Sequence, residues 1–98
     1  MITGKQRAYL RGLSNDLSPL FQVGKNGVEE NFLIQVSQAL EARELIKIKV
    51  LENSGLDTRE TSDMICKAVK CQGVQAIGNK ITLYKKSKNK PKIELPIK

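Results

Sequence analysis

Side chains that commonly do covalent chemistry are scarce in this chain. No histidine occurs among its 98 residues, which excludes Cys-His and Ser-His-Asp nucleophile machinery and histidine-ligated metals. Cys66 and Cys71 are the only thiols. Five apart in a predicted helix, they fall on different faces and make neither a zinc set nor a disulfide framework; they read as reduced, small apolar residues. Glu41, Glu44 and Glu52 are the nearest thing to a carboxylate pair. Glu41 and Glu44 flank a predicted helix end with no cleft to raise a pKa, so they read as solvated charges. No enzyme activity and no cofactor are expected.

What remains is Gly24-Lys25-Asn26-Gly27. Glycine lets another chain approach the backbone without a Cβ in the way, and the two residues between can present N–H groups and a positive charge. In KH domains a GxxG loop of this kind clamps a nucleic-acid backbone. Alone, the tetrapeptide reads as a plain turn. GxGxxG and GxxxxGK[ST], the dinucleotide and P-loop signatures, are absent.

The charge map favours the nucleic-acid reading. The net charge is +7, unevenly spread: residues 1–27 carry +3, residues 28–66 carry −4, and residues 67–98 carry +8. A basic beginning and end around an acidic middle predict one positive face, which suits nucleic acid, an anionic membrane or an acidic protein. Arg7 and Arg11, one helical turn apart, read either as a solvated pair or as residues flanking an RNA site. Aromatic residues make up 4% of the chain, so no wide base-stacking platform is available. Tyr84 could stack on a base from an open sheet face, but a half-buried structural role is favoured. No run of eighteen apolar residues and no signal segment is seen, so a cytoplasmic protein without membrane association is expected; a monomer is the expected state.

The elements that must position these residues follow from period and punctuation. Thr3 can cap a helix from Gly4, with Ile2, Gln6, Tyr9, Leu10, Leu13 and Leu17 on one face until about Ser14-Asn15. Leu20 to Val23 reads as a strand entering the glycine loop. Beyond the loop, Val28, Phe32, Leu33, Val36, Ala39, Leu40 and Arg43 stripe a second helix that opens on Glu29 and Glu30. Those acids favour the helix dipole but oppose a phosphate over the terminus, so any phosphate is expected nearer Lys25. Leu45 to Leu51 alternates as a strand with Lys47 and Lys49 on a wet, basic face. Asp57 opens a third helix with Thr61, Met64, Ile65, Ala68, Val69 and Gln72 inward, and Gly73 is placed as its left-handed C-terminal residue. Val74 to Ile77 and Lys80 to Tyr84 form a hairpin about Gly78-Asn79. From Lys85 a lysine-dense, proline-containing stretch reads as a mobile basic tail, with Lys92 to Ile97 at most an edge strand.

The expected product is an α/β domain ordered α-β-α-β-α-β-β, a four-stranded mixed sheet with its helices mainly on one face. Residues 1–86 form the domain and residues 87–98 the tail.

The blocks TGKQRAYLRGL, PLFQVGKNGV, ALEARELIKIKV and QAIGNKITLYKKS resemble the CRM domain, the chloroplast RNA splicing and ribosome maturation module, and its single-domain bacterial YhbY-like form. The resemblance spans about residues 2–86 and implies a fold similar to the C-terminal domain of translation initiation factor three. It implies RNA binding and association with precursors of the large ribosomal subunit. By position it assigns the RNA loop to Gly24, Lys25, Asn26 and Gly27, and a basic opening block to Lys5, Arg7 and Arg11. Glu44-Leu45-Ile46-Lys47 matches a block taken as mostly structural. Where relatives often carry a histidine before that glutamate, this chain has Arg43; where they often cap the second helix with threonine or serine, it has Glu29.

The expectation from residues and resemblance together is an RNA-binding protein that grips ribosomal RNA backbone during large-subunit assembly. The alternative is a ribosome-associated protein adaptor, motivated by an exposed Ile34 and an open sheet face, in which the charge only localises the molecule.

Overall fold

A computed structural model describes residues 2–96. The order is α1 (Gly4–Ser14), β1 (Phe21–Val23), α2 (Glu30–Arg43), β2 (Leu45–Val50), a 3₁₀ turn at Glu52–Ser54, α3 (Thr58–Val69), β3 (Gln72–Ile77) and β4 (Lys80–Tyr84). The strands lie in the order β1-β2-β4-β3. β1 pairs parallel with β2, and β4 runs antiparallel between β2 and β3, so β1, β2 and β3 share one direction. This is the expected mixed sheet.

The alternation in β2 divides the core in two. Ile46 and Ile48 pair with Leu83 and Ile81 of β4 and face α2 and α3, meeting Val36 and Leu40 from one helix and Ile65 and Val69 from the other. Leu45 and Tyr84, opposite one another, face the other way and pack with Leu10 of α1 and Val74. A register shift between Gly73 and Gln75 leaves Val74 unpaired on β3, where it fills this second cluster. Two helices therefore cover one face and α1 covers part of the other.

Local signals account for most boundaries. Thr3 Oγ1 accepts the Gln6 N–H at 3.1 Å and Gln6 Oε1 accepts the Thr3 N–H at 2.9 Å, a complete capping box. Asp57 accepts the Glu60 N–H at 3.0 Å and opens α3. Glu29 precedes α2 without a side-chain cap.

Four readings need correction. Gly73 does not end α3; it lies in β3, and Lys70 takes the left-handed conformation at φ 57° three residues earlier. Gln72 opens β3, and Met64 is exposed while Ser62 is buried. Cys66 and Cys71 are not on different faces: the reversal at Lys70 brings their sulfurs to 3.6 Å.

The acids and the C-terminal segment also depart from expectation. Glu44, at φ 67°, is fully buried, and its carboxylate accepts the N–H groups of Ser87 at 2.8 Å, Lys92 at 2.6 Å and Ile93 at 2.7 Å. Its own carbonyl takes the Lys85 N–H at 2.9 Å. Glu41 accepts from the Ser87 hydroxyl and from the Lys88 and Asn89 N–H groups. Far from a mobile tail, residues 87–96 are tied to the end of α2, and Ile93 and Leu95 cover the second cluster beside Ile2. No strand forms at residues 91–96; Ile97 lies outside the described residues.

These contacts govern the ionisation of both acids. Burial is the largest single influence on Glu44 and opposes its charge, but the three N–H groups and the charge of Lys86 together outweigh it and hold the carboxyl below its ordinary value. Glu41 is lowered first by the Lys88 N–H, then by Ser87 and Asn89.

Candidate nucleic-acid interface

The glycine loop leaves the edge strand β1. Leu51 N–H donates to the Val23 carbonyl at 2.9 Å and fixes its base, and Gly27 N–H closes a four-residue turn on the Gly24 carbonyl at 3.0 Å. Gly27 sits at φ 70°, a left-handed conformation that favours glycine. Gly24 is different: a Cβ there would meet only Leu51 Cδ1, at an ordinary 3.6 Å. Lys25 and Asn26 occupy the exposed corners, and among the described residues their N–H groups have no protein acceptor. The segment is thus a tight turn that also presents two amides and an ammonium group outward.

Arg7 and Arg11 are elsewhere. With Arg59 of α3 they line a groove of about 470 Å³ against β3, at the opposite edge of the sheet from the loop. Arg7 Nε donates to the Gly73 carbonyl at 3.2 Å, which orients its guanidinium along that groove. Three strand spacings, about 14 Å, separate β1 from β3. Lys5 is exposed near the start of α1.

Between the two edges runs a row fixed by strand register. Gln22 of β1 stands beside Lys49 of β2, Lys49 opposite Lys80 of β4, and Lys80 opposite Ile77 of β3. Paired residues share a face, so these four cross the sheet on the side away from α2 and α3. Lys47, two residues before Lys49, adds a third ammonium on that side. Ile77, 66% exposed, ends the row where the arginine groove begins. The lysines, rather than the arginines, are therefore the bases standing between loop and groove. The alternation around Lys47 and Lys49 gave their face; only the strand order shows that this face joins the two sites.

The same face is not open throughout. Tyr84 is 4% exposed beneath α1 and the C-terminal segment, so it offers no ring to a base; burial first, then the charge of Glu44, pushes its hydroxyl above the ordinary range. That covering narrows the open sheet face, one of the two features behind the adaptor reading. Ile34 remains half exposed. No group of three or more metal-ligating side chains occurs among the described residues, nor does any described helix have the length and apolarity to cross a membrane.

A small α/β domain with a glycine turn at one sheet edge, an arginine groove at the other and lysines between defines a compact basic-surface module. Residues 2–85 match the model of the CRS1/YhbY (CRM) domain, and the chain belongs to that family. It is 50% identical over 96 residues to "Probable RNA-binding protein YqeI" of Bacillus subtilis, covering 98% of this chain and all of that one. A Haemophilus influenzae protein named "RNA-binding protein" is 40% identical over 101 residues, covering 99% of this chain and 97% of its own. The solution structure of the hypothetical protein SAV1595 from Staphylococcus aureus superposes with a TM-score of 0.82 at 45% identity, covering 98% of this chain and 100% of the other.

Proposed function

We propose that this protein binds RNA without transforming it, holding ribosomal RNA of precursor large subunits by its phosphate backbone in the cytoplasm. The observation that carries the reading is the row Gln22–Lys49–Lys80–Ile77, which joins the Gly24–Gly27 turn to the Arg7–Arg11–Arg59 groove across one sheet face. Its span of about 14 Å accommodates a few successive phosphates, so a single strand or one side of a helix can lie along it. Contacts of this kind position a nucleic acid without reading its bases, and recognition would rest on RNA shape. Glu29 and Glu30 at the start of α2 disfavour a phosphate over the helix terminus and leave the turn's own amides and Lys25 as the grip.

The test is a salt titration of binding to protein-free large-subunit ribosomal RNA. Lys25→Ala should weaken binding by about 1 kcal/mol and reduce the salt slope by about 0.7–0.9, the value for one phosphate contact. Lys49→Gln with Lys80→Gln should reduce the slope by roughly twice that. Gly24→Asp should impair binding with little effect on folding, because its Cβ meets only an ordinary contact. Gly27→Asp combines the same effect with strain at φ 70°. Unchanged affinity in the glycine variants would remove the loop from the site. No binding to free RNA at physiological salt, with retained binding to assembling particles, would favour the adaptor instead.

A further inference from the structure

We infer that Cys66 and Cys71 form an oxidative modification site, a dithiol that a hydroperoxide converts to an intramolecular disulfide. The end of α3 places them together. With Lys70 left-handed, the Cys71 N–H donates back to the Cys66 carbonyl at 3.2 Å, the long-range bond of a Schellman ending. That motif stacks the side chains of its first and last bonded residues, and here both are thiols, 3.6 Å apart. A disulfide needs about 2.0 Å between sulfurs, so about 1.6 Å of approach remains.

The two thiols are not equivalent. Cys66 is partly exposed and Cys71 is buried. The Cys71 S–H donates to Cys66 Sγ, which favours the Cys66 thiolate and lowers its pKa; burial opposes this and a hydrogen bond from Ser62 adds to it. The same hydrogen bond, with burial, pushes Cys71 upward. Cys66 is therefore the attacking sulfur and Cys71 the resolving one. The Cys66 thiolate attacks one peroxide oxygen, the O–O bond breaks, and the departing oxygen leaves as an alcohol, or as water from hydrogen peroxide, after taking a proton. Cys66 becomes a sulfenic acid. Cys71 sulfur then attacks Cys66 sulfur, the S–OH bond breaks, and hydroxide leaves with the Cys71 proton as water. The two sulfurs lose two electrons in total and the peroxide gains them.

The sequence supplies a clean readout, because Lys67 and Lys70 place tryptic sites between the cysteines. Reduced full-length protein treated with equimolar hydrogen peroxide, blocked with N-ethylmaleimide and digested should yield peptides 60–67 and 71–80 joined, lighter by two hydrogens than their sum. The undigested protein should run as a monomer without reductant. Cys71→Ser should instead accumulate a dimedone-reactive Cys66. Recovery of both cysteines as maleimide adducts would overturn the inference. So would a disulfide only between molecules, or sulfinic acid at Cys66 without the link. The wild-type mass spectrum decides this even if the serine variant folds poorly, and RNA binding plays no part in it.

Discussion

Replacing Glu44 tests whether one buried carboxylate organises the last ten described residues. Its oxygens take three N–H groups at 2.6–2.8 Å, and hydrogen bonds to a charged group contribute about 1.5–3 kcal/mol each. The lower figure sets a gross loss of about 4.5 kcal/mol for Glu44→Ala if the segment stayed in place. It need not stay. Once released, its N–H groups bond to water, and the cost becomes that of undocking: about 1 kcal/mol each for half-buried Ile93 and Leu95, plus the uncovering of Leu10, Leu45, Val74 and Tyr84. A net loss of about 3 kcal/mol follows, which should lower the urea midpoint by about 2 M. The backbone separates the two roles of this residue. At φ 67°, alanine keeps the strain and glycine relieves it, so Glu44→Gly should be about 1 kcal/mol more stable than Glu44→Ala although both lack the carboxylate. Amide exchange at Ser87, Lys92 and Ile93 reports docking directly. Wild-type protection of those amides in Glu44→Ala, with an unmoved midpoint, would refute the reasoning.

The acid limb should show the same contact from another side. Glu41 and Glu44 both lie below their ordinary 4.5 in the folded protein, so their stabilisation is present above that value and is lost as pH falls through the lower folded values. The Ser87 and Ile93 amide resonances, followed from pH 6 to pH 3, should keep their docked positions to below 4.5 and then move; movement completed above pH 5 would contradict the depressed values. Lys70→Gly should stabilise the domain by about 0.5–1 kcal/mol in urea denaturation, because it removes a side chain from a left-handed position at φ 57°. An unchanged or lower midpoint would place the end of α3 elsewhere. Arg59→Ala should weaken RNA binding and lower its salt slope, an effect not expected if the arginine groove stands outside the RNA path.

The parts of the fold legible in the sequence were those set by neighbours along the chain. Thr3 caps the helix that starts beside it, Ile46, Ile48 and Val50 alternate with Lys47 and Lys49, and the Gly78 turn joins two short runs. Period and turn chemistry encode such features directly. Glu44 failed because its partners are main-chain amides 43 to 49 residues away, and a backbone N–H carries no residue-type signal. Lys70 was passed over because propensity points to Gly73 for a left-handed residue, whereas packing places the reversal three residues earlier. That displacement also hid the cysteine pair, since a spacing of five separates side chains on a helix and joins them across a Schellman ending. At the candidate site the glycine turn and its exposed lysine were legible. The separation of Arg7 and Arg11 from that turn was not, because strand order depends on contacts between distant parts of the chain.

The docking of residues 87–96 has a consequence for synthesis. α1 emerges from the ribosome first, yet Leu10 and Ile2 complete their cluster with Ile93 and Leu95, and Gln6 Nε2 donates to the Pro96 carbonyl at 2.8 Å. Glu41 and Glu44 likewise wait, with α2 already made, for amides translated more than forty residues later. The α2–α3 side of the sheet can close once β4 is out, and α1 can then meet Leu45, Val74 and Tyr84, but that cluster stays incomplete until residues 93–95 have cleared the exit tunnel. On the nascent chain the two sides of this small sheet mature in sequence, and the earliest helix is among the last to be secured.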